Sequence, residues 1–342
     1  MADNPFGILL QGSADVLRRS YELWQRQPLD WDLSDGESLP VARKQRTVAK
    51  PVTVKGPGTF FHKSIRTVTI EPTDMEGWWF ERTDMQDVLP FAVSPRNVWT
   101  TGDVVSNIVL RAGPPHNYVR MVEHIIALKA GMAIDNVLIK IDAGDPPLFN
   151  RGSMDLVEAF DEAGVKEVDA PAKYFTVRET VSVVSPSGSF LIIQPCDPAR
   201  PELTLDCAVD FTTAIGQQRI RVPINARNFR MGAEARTNTS YAKMLYVSTI
   251  GQIFADTRNL GYSRENILIA SRKGYVNEPR LIHEGKSLEA AWHRATLDLL
   301  AAIALIEEGQ FAGHVISYKA GHGLDVEMIR QLYKKKLLKR VE

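Results

Sequence analysis

Two β-rich runs, each followed by helical segments, constrain this chain more than any other feature of its sequence. Short runs of branched and aromatic residues punctuated by Gly and Pro begin at Arg46, among them 66–70 and 107–110. Next, Met121, Val122, Ile125, Ile126 and Leu128 fall at helical spacing, which predicts a helix over 116–129 that stops at Gly131. An apolar strand follows over 137–141, then a helix over 153–163 with Ser153 as N-cap and Gly164 beyond its end. The same order then recurs. Residues 179–184 and 190–194 flank Ser185-Pro186-Ser187-Gly188-Ser189, a hairpin turn. Leu203, Leu205, Cys207, Val209 and Phe211 alternate with mostly polar neighbours, the pattern of a half-buried strand. Residues 241–260 and 288–308 have the length and period of helices, with the apolar strand 267–270 between them. A strand over 314–318, the turn 319–322 and a helix with a basic end at Lys334 finish the chain.

Strands followed by helices, twice over, predict an α+β fold of two similar β-sheet-plus-helices domains packed as a sandwich, the first over 44–170 and the second over 171–342. A length of 342 residues suits two cores. Residues 1–43, amphipathic over 14–27 and then polar and acidic over 29–37, read as an N-terminal appendage whose removal should leave the fold intact. The 41 basic side chains balance the 41 acidic ones, so nothing points to a nucleic-acid partner. No apolar run is long enough to span a bilayer, and the start lacks the basic flank and apolar core of a secretory signal, so a cytoplasmic protein without a transmembrane segment is expected. Cys196 and Cys207, the only cysteines, offer no disulfide framework and read as core residues. Nothing in the pattern sets an oligomeric state.

Metal-assisted hydrolysis needs three protein ligands, an open position for water and a general base nearby. Of seven histidines, His62, His116, His283 and His314 sit in contexts that say little. The informative three are His124 beside Glu123, His293 in a helix that also holds Asp298, and His322 in a Gly-flanked turn. On pattern alone, a histidine on a helix is more often a hydrogen-bonded structural residue than a ligand, and the His-Glu-x-x-His spacing is absent.

Several ordered segments carry a resemblance. Lys44-Gln45-Arg46-Thr47, Gly56-Pro57-Gly58 with His62, and Arg82-Thr83-Asp84 are followed by Val122-Glu123-His124, Gly131 and Ile134-Asp135-Asn136-Val137. Arg178-Glu179-Thr180-Val181, Ala235-Arg236-Thr237 and Tyr318-Lys319-Ala320-Gly321-His322 come in the second half. From Lys44 onward the chain resembles the UDP-3-O-acyl-N-acetylglucosamine deacetylases, the zinc-dependent amide hydrolases of lipid A biosynthesis. The resemblance implies two domains with the active site between them and an acylated nucleotide-sugar as the small-molecule substrate. It also implies Zn2+ held by His124, His293 and Asp298, with Fe2+ suited to the same ligand set. By the same resemblance Glu123 is the general base, His322 stabilises or protonates the departing amine, and Thr237 holds the oxyanion. Lys319 and Arg294 are the cations suited to a diphosphate.

The chain departs from that family at identifiable places. The family's third ligand lies four residues after the second histidine; here that position is Leu297, and the nearest acid is Asp298. An α-helix would turn Asp298 away by about 100°, and a π-bulge, which absorbs one extra residue, would bring it back. Residues 301–305 are apolar where the family has another acid, Asn150-Arg151 replaces an acid, and Asn238 stands where the family has an aromatic. These changes keep an alternative open: a non-catalytic paralogue that binds a nucleotide-sugar or a protein partner.

Overall fold

The computed structural model describes residues 4–34, 43–61, 63–101, 105–254 and 257–341. Two main sheets enclose a layer of helices, which is the α+β architecture expected. The first sheet has five strands in the order Val52–Pro57, Ile65–Glu71, Val137–Ile141, Trp78–Arg82 and Phe91–Ala92. Val137–Ile141 runs antiparallel to Ile65–Glu71 and parallel to Trp78–Arg82. Its Val137, Ile139 and Ile141 point into the core while Leu138 and Lys140 alternate outward. Lys44–Val48 pairs antiparallel with Val165–Pro171, so the start and end of the first half close on each other.

The second sheet has seven strands in the order Ile8–Gln11, Val181–Val184, Phe190–Pro195, Gly313–Tyr318, Leu203–Asp210, Gln217–Pro223 and Trp31–Asp32. Helices from both halves meet between the sheets. Glu123–Ile126 and Leu128–Gly131 pack on Leu300–Ile303, and Met154–Ala163 packs on Ala226–Ala233. One continuous apolar core draws side chains from both sheets and from this helical layer. No helix among the described residues is long and apolar enough to cross a membrane.

The N-terminal segment is not an appendage. Ile8–Gln11 pairs with Val181–Val184 at one edge of the second sheet, and Trp31–Asp32 pairs with Gln217–Pro223 at the other. Between them the helix Ala14–Arg26 covers the outer face, burying Leu17 and Trp24 against Val184, Phe190, Ile192, Ala208, Ile316 and Tyr318. The central strands are therefore buried on both sides, and period two divides them between two cores: Leu191, Leu205, Cys207 and Val315 face inward, Phe190, Ile192, Ala208 and Ile316 outward. This corrects the half-buried reading of 203–211. Asp206, among those alternating polar residues, is fully buried and accepts from Arg219 at 2.8 and 2.9 Å and from Arg221 at 3.1 and 3.2 Å. Arg219 also donates to the carbonyls of Trp24 and Gln27, which satisfies the end of the N-terminal helix.

Deletion of residues 1–43 is accordingly expected to destabilise the protein. Burial of Leu17 and Trp24 contributes roughly 1.5–3 kcal/mol each. The deletion would also bare Phe190 and Tyr318, two large side chains of the outer core. At roughly 2–4 °C per kcal/mol for a large domain, the loss of these two side chains should lower thermal unfolding by roughly 6–24 °C, or the shortened chain should aggregate. An unchanged melting temperature would contradict this role.

Other expectations differ in detail. The segment over 116–129 is not one helix: Tyr118–Arg120 is a strand paired with Asn107–Arg111, and Met121 turns the chain with a φ of 59° before the helix begins at Glu123. The helix over 241–260 ends at Ser248 and gives way to a single 3-10 turn, Ile250–Ile253. Cys207 is buried, and burial pushes its thiol up to about 12, as a core residue requires.

Candidate functional site

A cavity of about 490 Å³ lies between the two halves, and Glu123, His124, Thr237, His293, Asp298 and His322 all line it. Each is delivered by an element end or an irregular turn. Glu123 and His124 open the helix Glu123–Ile126, His293 ends Glu289–His293, Thr237 begins the strand Thr237–Ser240, and His322 begins the helix His322–Lys334.

Asp298 depends on a feature visible in the sequence as a spacing. Residues Arg294–Leu299 form a π-helix turn between the α-helical segments Glu289–His293 and Leu300–Ile303. Wider bonding absorbs the extra residue, and the Asp298 carboxylate reaches back to His293, with Nδ1 and Oδ1 3.4 Å apart. Thr296 donates to the Trp292 carbonyl at 2.8 Å, a side-chain bond of the kind that bends helices. Gly232 lets the neighbouring helix close on this turn, because a Cβ there would stand 2.4 Å from the Thr296 hydroxyl.

The polar atoms of the site contact one another. Thr237 Oγ1 is 2.9 Å from His293 Nε2. His322 Nε2 lies 3.5 Å from Asp298 Oδ1 and 3.7 Å from Glu123 Oε1, and the rings of His124 and His293 are 5.5 Å apart between centroids. Glu123 also accepts from the Ile108 amide. Burial raises the Glu123 carboxyl above its ordinary value, against the opposing effect of His322. Asp298 goes the other way: burial works against its charge, but His293, His322 and Arg294 outweigh that and hold it well below the usual carboxylate range. His124 is pulled down to about 3, first by burial and then by His293. Gly152 adopts a φ of 63°, and a Cβ there would meet the Ala233 carbonyl at 2.5 Å.

Among the described residues no group of three or more His, Cys, Asp or Glu side chains is spaced to hold a metal ion. The geometry gives a reason. Both ring nitrogens of His293 are engaged, one by Thr237 and the other by Asp298, so the donors satisfy one another and do not converge on a common point. Their chemistry nevertheless fits zinc: His124 is held neutral, as a ligating imidazole must be, and Asp298 is held ionised.

Two expected substrate contacts fare differently. Arg294 does not reach the cavity: it is buried, bonds Asp325 at 2.7 and 2.6 Å, and also donates to the Ser317 hydroxyl. A guanidinium committed to a buried carboxylate is structural, so its assignment to a diphosphate is corrected. Lys319, in the left-handed region at φ 53°, is exposed, does not line the cavity, and lies 3.7 Å from Asp210, the neighbour of the cavity residue Phe211. His62 lies outside the described residues. The apolar residues 301–305 supply no helper acid, and Nδ1 of His322 is buried without a partner among the described residues. Sequence reasoning missed Tyr262, which lines the cavity from beyond the segment read as a helix, and Asp325, one turn after His322.

The family described as "LpxC: UDP-3-O-acyl N-acetylglycosamine deacetylase" matches this chain over residues 45–334. Among similar curated proteins, the UDP-3-O-acyl-N-acetylglucosamine deacetylase of Psychrobacter sp. (strain PRwf-1) is 27% identical over 296 residues, covering 85% of this chain and 92% of the relative. The Campylobacter jejuni enzyme of that name is 29% identical, covering 86% and 92%, and the one from Actinobacillus pleuropneumoniae serotype 3 is 26% identical, covering 84% and 90%. With the family match extending over nearly the whole second half and most of the first, the chain belongs to the UDP-3-O-acyl N-acetylglycosamine deacetylase family.

Proposed function

We propose that this protein is a metal-dependent amide hydrolase that removes the acetyl group from a UDP-3-O-acyl-N-acetylglucosamine, a step of lipid A assembly. The observation that carries the reading is the meeting of Glu123, His124, Thr237, His293, Asp298 and His322 on one cavity, although they come from distant parts of the chain. His124, His293 and Asp298 are the residues that would hold the ion, Zn2+ by preference, with Fe2+ suited to the same donors. When bound, such an ion polarises the amide carbonyl and acidifies water.

The side chains divide the remaining work. Glu123, buried and raised in pKa, accepts the proton of the attacking water as the C–O bond forms. The Thr237 hydroxyl donates to the carbonyl oxygen as it gains charge. His322, close to both acids, gives a proton to the nitrogen as the C–N bond breaks, releasing acetate and a free amine. Lys319, exposed beside Asp210 and two residues before the cavity residue Gly321, is the cation we assign to the diphosphate. The five-residue spacing that motivated a non-catalytic alternative is accommodated by the π-turn.

Acetate release from UDP-3-O-acyl-N-acetylglucosamine tests the reading. The protein as purified should release one acetate per substrate, lose activity on chelation and regain it with zinc. A zinc-loaded protein that releases no acetate from any acylated UDP-N-acetylglucosamine would contradict it.

A further inference from the structure

The family match begins at residue 45, yet the segment before it reaches the neighbour of a proposed metal ligand. Trp31, in the edge strand Trp31–Asp32, meets the fully buried Trp292 in a T-shaped pair, with ring centres 5.8 Å apart and planes at 80°. Trp292 immediately precedes His293 in the helix Glu289–His293. The same Trp31 ring stacks on His283, 4.2 Å away and within 4° of parallel. Acids on either side of Trp31 fix its backbone. Asp30 accepts from the Arg219 amide at 2.9 Å and from Lys286 at 2.6 Å, and Asp32 accepts from Arg221 at 3.0 Å.

Trp292 is tied to the irregular turn that delivers Asp298. Its carbonyl accepts the Thr296 hydroxyl at 2.8 Å, and a Cβ on Gly232 would stand 2.8 Å from its ring. Its indole Nε1 has no hydrogen-bond acceptor among the described residues, so side-chain packing sets where the ring sits. A second link runs beside the first. Gln27 donates to the Gln218 carbonyl at 3.0 Å, and the Gln218 side chain accepts the Ala291 amide at 3.1 Å, one of the first-turn donors a helix leaves unpaired. Ala291 and Trp292, the two residues before His293, are thus both braced from residues 27–31.

Resting on the metal-ligand assignment of the proposed function, we propose that Trp31 is a positioning residue of the metal site. Packed on Trp292, it fixes the helix end that presents His293 and so couples the N-terminal segment to metal affinity.

The test is zinc affinity, read by competition between the zinc-loaded full-length protein and a chromogenic chelator, with acetate release measured on the same samples. Wild type is compared with Trp31→Ala, Trp31→Phe, Leu17→Ala and His293→Ala, each checked for folding by circular dichroism. Leu17 lies in the same N-terminal segment but in the core on the other face of the sheet, so its variant reports loss of stability alone. Trp31→Ala should hold zinc roughly tenfold to 100-fold more weakly than wild type, the usual cost of losing a group that orients a ligand. Trp31→Phe, which keeps a ring, should restore most of that loss, and Leu17→Ala should bind zinc as wild type does. Should Trp31→Ala not fold, Trp31→Leu, which keeps apolar bulk without the ring, is read by the same criteria. Unchanged affinity in the Trp31 variant while His293→Ala loses zinc, or an equal loss in Leu17→Ala, would overturn the positioning role alone. Zinc binding in the expected order without acetate release would refute the deacetylase reading and leave the positioning role standing. Zinc held equally by His293→Ala would overturn both the ligand assignment and this proposal.

Discussion

Replacing Glu123 with glutamine is expected to lower kcat about 10²–10⁴-fold, the usual contribution of a positioned general base, while leaving metal content unchanged. Glu123, buried, and Asp298, partly buried, are both carboxyls lining the cavity, yet their environments push them apart. Burial dominates at Glu123 and raises it; at Asp298 the facing histidines and Arg294 overcome burial and keep it ionised. Under the proposed mechanism the ionised acid would serve as ligand and the raised one as base. Glutamine keeps an oxygen for the Ile108 amide, so the local fold should survive. Steady-state kinetics with metal analysis on the same sample make the measurement, and a kcat equal to wild type would remove Glu123 from the mechanism.

The second large effect is expected at Asp298. Alanine there should weaken metal binding by at least ~100-fold, beyond the 10–100-fold typical of losing a partner outside the ligand shell, and activity should disappear with the metal. Alanine is the best helix former, so circular dichroism should show the helical content retained and separate metal loss from unfolding. The expectation rests on the π-turn. In an unbroken α-helix residues 293 and 298 would stand on different faces, whereas here their side chains are 3.4 Å apart. Unchanged metal affinity in Asp298→Ala would assign the third ligand elsewhere, and Glu123 would be the nearest remaining acid in the cavity.

Much of this architecture was legible in the sequence where local rules decide it. Ser153 and Gly164 bracket the helix Met154–Ala163, although the Ser153 hydroxyl donates to the His124 carbonyl and caps nothing, and the Ser185–Ser189 turn joins the antiparallel strands Val181–Val184 and Phe190–Pro195. The displaced Asp298 pointed to a bulge because only one local distortion returns a fifth residue to the face of the first. What could not be read depends on partners far away in the chain. Asp206 alternates like a surface residue and becomes buried only because the helix Ala14–Arg26 lies across it and Arg219 pairs with it. Arg294 looks like a free cation until Asp325, 31 residues on, is placed against it. At Met121 a left-handed residue ends a strand inside an apolar pattern of helical period, a change of backbone that periodicity does not register. Tyr262 becomes a cavity residue only when the segment after Ser248 leaves the helix.

The π-turn absorbs the one-residue displacement between His293 and Asp298, and under the proposed function these residues still bind metal. The most direct test is elemental analysis of the full-length protein purified without chelator, beside its His293→Ala variant. About one zinc or iron per chain is expected in the wild type and should be lost in the variant. Wild-type protein that holds no metal even after zinc is added back would contradict it.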